Sequence, residues 1–213
     1  MNSVYAWMCA GLALTAVVAW WVSTQPGLAQ RIFTGGIFWL IVIAQLALVF
    51  TISYAINRIS TPAATGLFLL YSALNGLTLS TIFLVYQLNV IAVTFAVTAA
   101  MFGAMSLIGF VTKTDLTSLG NFLFMALIGL IIASIVNIFW ANSTLYWIVT
   151  YAGVAIFLGL TVYDTQRLKQ IALQTEGNAA LAARLAIVGS LMLYLDFINL
   201  FLFLLRIFGS RRD

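Results

Sequence analysis

The chain has 213 residues, of which 64% are hydrophobic and 7% charged, with a formal net charge of +4 and no histidine. A soluble domain carries roughly a quarter charged residues, so this composition excludes one and dictates an integral membrane protein. The single cysteine, Cys9, excludes intrachain disulfides and is expected to be a packing residue, and the lack of histidine removes haem ligation and most zinc chemistry. No cofactor is implied, and basic residues scattered singly among loops read as topology signals rather than a nucleic-acid surface.

Uninterrupted apolar length predicts seven spans within one transmembrane domain covering 1–213, at about Val4–Val22, Gly36–Ile56, Gly66–Tyr86, Val90–Val111, Asn121–Trp140, Leu145–Leu168 and Leu185–Phe208. The first run lacks a basic start and is long enough to cross, which reads as a first helix rather than a cleaved signal. Ser23-Thr24-Gln25-Pro26-Gly27 and Asn57-Arg58-Ile59-Ser60-Thr61-Pro62 break helices, and Lys113-Thr114-Asp115 sets an interfacial turn. Trp20, Trp21, Trp39, Trp140, Trp147 and Tyr86 fall near predicted ends, where amphipathic rings sit at headgroup level. Gly76, Gly103, Gly109, Gly153 and Gly159 are expected to let helices pack closely.

Seven crossings place Arg58, Lys113, Arg167, Lys169 and Arg184 on one side and Arg31, Arg206, Arg211 and Arg212 on the other, five basic residues against four. That balance barely selects an orientation. A re-entrant last segment would make it eight against one, but Leu185–Phe208 is long enough to cross and holds only Gly189 as a turn-former.

Two carboxylates stand in this apolar sequence, Asp164 in GLTVYDTQRLKQ and Asp196 in LMLYLDFINLFLFLL. An ionisable group in a lipid-embedded helix costs roughly 3 kcal/mol or more unless a partner or wet cavity compensates, so such residues are functional candidates by default. Asp196 lies about 16 Å along the helix from Leu185, near the bilayer midplane. Its own helix offers no basic residue before Arg206, about 15 Å away, so its partner must come from another segment or be a proton. Asn199, at i+3, can add an amide to the same face or hydrogen-bond another span. For Asp164 two readings stay open: an interfacial acid paired with Arg167 at i+3, or a partner of Asp196, if the sixth helix runs to about Ile171 and the seventh begins near Ala186.

SLMLYLDFINLFLFLLRIFG, VYDTQRLKQ and LYSALNGLTLSTIF together resemble the Bax inhibitor-1 (transmembrane Bax inhibitor motif) family, in its bacterial type, over nearly the whole chain. The resemblance implies an all-α fold of seven transmembrane helices, with the seventh central and surrounded by the other six. It also implies a pH-sensitive calcium leak channel of the bacterial inner membrane. The gate would be an aspartate pair on the sixth and seventh helices, falling here on Asp164 and Asp196, with an arginine latch after the second helix that matches Arg58 by position. Against the family pattern, the chain opens almost directly on its first span, which tells against N-terminal partner binding, and the loop Gln170–Arg184 looks long.

The chemistry fits that expectation. Calcium wants six to eight oxygens, and Asp164 and Asp196 with carbonyls, Asn199 or water supply the partial, transient shell that suits passage. Carboxyls within hydrogen-bonding distance share a proton, because the second ionisation is opposed by the first, and this makes pH a switch. An arginine reaching Asp164 would compete with the cation and latch a closed state. The expected partners are therefore the lipid bilayer, calcium ions and protons. Enzymatic readings fare worse: Tyr163-Asp164 matches half of an intramembrane aspartyl protease pattern, but Leu193-Tyr194-Leu195-Asp196 lacks the glycine of the second half, and retinal would need a lysine in the last span. The remaining alternatives are a non-transporting regulator that binds other membrane proteins through its lipid-facing surface and the loop Gln170–Arg184, and a proton-coupled cation exchanger.

Overall fold

The computed structural model describes residues 1–25, 27–28, 32, 36–55, 59–175 and 177–209. Among these residues seven helices are long and apolar enough to cross a membrane: α1 (Asn2–Ser23), α2 (Ile37–Ala55), α3 (Thr61–Val85), α4 (Leu88–Val111), α5 (Thr117–Phe139), α6 (Ser143–Gln174) and α7 (Ala179–Phe208). Helix is what lipid demands, since every backbone N–H and C=O must be satisfied within the segment. Several hydroxyls of these spans follow the same rule: Thr98, Ser134 and Thr161 each donate to the carbonyl four residues back.

The helices outrun the predicted spans where polar side chains have something to do. Thr61–Val85 begins five residues before the predicted Gly66, because Ser60 caps its N-terminus by accepting from the Ala63 amide and Pro62 occupies the first turn. The loop expected over Gln170–Arg184 is almost entirely helical, a correction to the sequence reading: α6 continues to Gln174 and α7 starts at Ala179. Gly177, at φ +99°, makes the turn between them, and Asn178 caps α7 through a 3.0 Å bond from the Leu181 amide.

The chain forms two compact units, Met1–Leu88 with Ile171–Tyr194, and Asn89–Gln170 with Leu195–Ser210. In the first, α1 buries Val4, Met8, Gly11, Leu12, Thr15, Ala19 and Val22, a stripe at steps of three and four. Gly76 of α3 sits where any Cβ would meet the Thr15 carbonyl and the Val18 side chain at under 3 Å. Cys9 falls off the buried stripe and is exposed, so it is not the packing residue its apolar neighbours implied. In the second unit, Phe197 of α7 packs edge-on against Phe95 and Phe102 of α4, with ring centroids 5.2 and 5.4 Å away. Phe203 stacks on Phe157 and presses against Gly153 of α6. Gly159 and Gly109 are likewise closely approached, by Leu123 and by the Val162 carbonyl, whereas Gly103 meets nothing and does not serve the close packing expected of it.

Burial differs sharply along the chain. The most apolar window of α7 is 72% buried, against 6% for α2 and 11% for α5. Trp20, Trp21, Trp39, Trp140 and Trp147 are all exposed, as rings at a lipid boundary would be.

Candidate functional site

Asp164 and Asp196 come from α6 and the second half of α7, both within the second unit. They are 9% and 4% exposed, and their carboxyl groups lie close enough to act on one another. A hydrogen bond between them would need a proton, because two bare carboxylates have no donor and repel. Asp196 Oδ2 has no hydrogen-bond partner among the described residues, leaving one buried acceptor unfilled. Arg167 is exposed one turn beyond Asp164, near enough for its charge to act on the carboxyl.

Asn199 does something else with its amide. Its Nδ2 donates 2.8 Å to the Leu195 carbonyl of its own helix, which corrects the expected bond to another span and leaves only the side-chain oxygen for any ligand. Arg58 lies outside the described residues. Among those residues no group of three or more His, Cys, Asp or Glu converges, so the carboxyl pair offers a cation two acidic side chains and no cage.

Residues close in sequence to each acid, which sequence reading passed over, carry hydrogen bonds of their own. Gln166, two positions after Asp164, is buried and spends its whole amide on the α4–α5 connection. Its Nε2 donates to the carbonyls of Thr112 (3.2 Å) and Thr114 (2.8 Å), and its Oε1 accepts from the Leu116 amide (3.1 Å). Lys169 Nζ donates 2.7 Å to the Phe110 carbonyl and sits over the Phe110 ring. Two positions before Asp196, Tyr194 is fully buried in the first unit. The Thr15 hydroxyl donates to the Ser72 carbonyl at 2.8 Å, so in its 2.7 Å contact with Tyr194 the phenol is the donor; Tyr194 then accepts from Asn75 Nδ2 at 2.9 Å. Phe68 and Tyr71 close edge-on around its ring. The available signal was a Gln, an Asn and two hydroxyls inside apolar spans, which in lipid must find partners.

The loop between α4 and α5 also carries Asp115, outside the spans. Its Oδ1 accepts from the Thr117 hydroxyl (2.6 Å) and the Thr117 amide (2.9 Å), and these bonds, the hydroxyl first, hold its carboxyl below the ordinary aspartate range.

Comparison with known proteins places this arrangement. A family model described as "Inhibitor of apoptosis-promoting Bax1" matches residues 1–213. The chain is 53% identical over its whole length to the inner membrane protein YbhL of Escherichia coli K12, covering 92% of that protein. It is 46% identical to a protein of Borreliella burgdorferi, again over the whole chain and 92% of the relative, and 40% identical to protein RP147 of Rickettsia prowazekii over 90% of that protein. With a family match along every residue, a relative named for the inner membrane and seven membrane-spanning helices, the chain belongs to the Bax inhibitor-1 family as a bacterial inner-membrane member.

Proposed function

We propose that this protein is a pH-sensitive calcium leak in which Asp164 and Asp196 form both the proton switch and a transient cation site. The observation that carries the reading is the burial of two neighbouring carboxyl groups, one from α6 and one from α7, in otherwise apolar helices. With one shared proton the pair is bonded to itself and offers little charge to a cation. Loss of that proton replaces the bond with two adjacent negative charges, which a divalent cation neutralises better than a monovalent one. The empty acceptor at Asp196 Oδ2 and, among the described residues, the lack of a third acid near the pair favour brief coordination over capture.

The family resemblance adds Arg58 as the cation that competes for Asp164 when the path is closed. On this proposal Arg58→Ala raises basal leak, and the exchange of Arg58→Asp with Asp164→Arg restores part of the closed population. Equal leak in the parent, the single variant and the exchange would remove Arg58 from the mechanism. The leak itself is tested by calcium entry into liposomes holding only the purified protein, recorded across pH beside protein-free liposomes. Entry that varies with pH is expected. No entry at any pH would favour a regulator that acts through other membrane proteins, and flux that requires a counter-gradient of protons would favour an exchanger.

A further inference from the structure

Gln166 sits at the junction of three elements, and its bonds answer a specific structural need. The last carbonyls of a helix and the first amides of the next have no partner within their own helices. Thr112 and Thr114 lie just beyond the C-terminus of α4, and Leu116 is the cap residue of α5, so one buried amide satisfies groups at both ends of the connection. Lys169 does the same for the Phe110 carbonyl. Behind these bonds the packing leaves no slack: Gly109 of α4 lies where a Cβ would strike the Val162 carbonyl, Gly120 of α5 lies against the Tyr163 ring, and the Thr165 hydroxyl reaches Ser106 at 3.4 Å. The turn of α6 carrying Asp164 is thus clasped on the side away from Asp196.

We propose that Gln166 is a positioning residue for Asp164: by strapping the α4–α5 connection to α6 it fixes the rotation at which Asp164 meets Asp196. Successive residues of a helix turn by about 100°, so positions two apart face nearly opposite ways, and a rotation that loosens one contact misaligns the other. The inference rests on the carboxyl pair acting as the switch, and it adds the part that sets the geometry of that switch. The charged groups around this turn are Asp196 from α7, Arg167 and Lys169 on α6, and Lys113 and Asp115 on the connection; α4 and α5 carry no charged residue within Leu88–Val111 or Thr117–Phe139.

Two substitutions separate positioning from simple stability. Gln166→Leu removes all three bonds. Gln166→Glu keeps the acceptor and, when protonated, one donor, but once ionised it turns a negative charge on the Thr112 and Thr114 carbonyls, so the strap becomes releasable by pH in a single folded protein. Hydrogen exchange reads the strap, and infrared titration of the buried carboxyls, assigned with Asp164→Asn and Asp196→Asn, reads the pair without requiring calcium transport. Gln166→Leu is expected to speed exchange both in the α4–α5 connection and in the α6 turn around Asp164, and to move the midpoint of the pair's titration. Gln166→Glu should lie near the parent in acid and move toward the Leu variant in alkali. Faster exchange confined to the connection, with the midpoint of the pair unmoved in both variants, would overturn the proposal. A shifted midpoint in a protein that passes no calcium would uphold the strap while sinking the leak.

Discussion

Tyr194 shows how much rests on single polar atoms in this protein. Its phenol donates to Thr15 and accepts from Asn75, so Tyr194→Phe strips two buried groups of their partner while leaving the ring contacts with Phe68 and Tyr71. A lost hydrogen bond that strands buried partners costs about 1–3 kcal/mol, and the variant should melt earlier in detergent by a corresponding margin. An unchanged melting temperature would mean that Thr15 and Asn75 find other partners. Asp115 tests the opposite, exposed case. Its carboxyl is held below the ordinary aspartate range by Thr117, so the ionised form is favoured at neutral pH and its contribution is lost as pH falls through that lowered value. The Thr117 amide should therefore exchange faster in acid, after correction for intrinsic rates, and Asp115→Asn should remove most of that dependence. Protection that is flat with pH would show that the Asp115 carboxylate does not hold the turn. Sequence reading found Asp164 and Asp196 because a charge in an apolar run is conspicuous, and it missed Gln166 and Tyr194 because neutral polar residues are common in spans and only their partners, distant in the chain, reveal what they do.

At the scale of the helices, apolar length located all seven, and the errors fell at their ends. The missed turns at the starts of α3 and α7 follow the caps Ser60 and Asn178, whose hydrogen bonds the sequence does not display, and Gly177 makes the turn between α6 and α7. Glycine was a less reliable guide: Gly76, Gly109, Gly153 and Gly159 mark close approaches, Gly103 does not, and Gly11 and Gly120 were overlooked. Helix periodicity alone cannot tell which face a neighbour covers when nearly every residue is apolar. Gly109 allows a sharp test, because the atom its Cβ would meet is a backbone carbonyl, which cannot rotate away. Gly109→Ala should destabilise the protein by about 1–3 kcal/mol through forced separation of α4 and α6. Gly103→Ala, with open space around it, should be tolerated. Equal melting temperatures for the two variants would contradict the close α4–α6 approach.

For the molecule as a whole, the distribution of burial and charge narrows where function can reside. α2 and α5 expose most of their residues, α7 buries most of its own, and the two acids are buried close to one another. The shared proton is the claim on which the account turns, and Asp196→Asn tests it at nearly constant volume by removing one member of the pair together with its charge. Calcium entry into liposomes containing either the parent or Asp196→Asn, each verified as folded, should be compared across the same pH series. The account predicts pH-dependent entry in the parent and pH-independent entry in Asp196→Asn, whereas an Asn variant that titrates like the parent would contradict it.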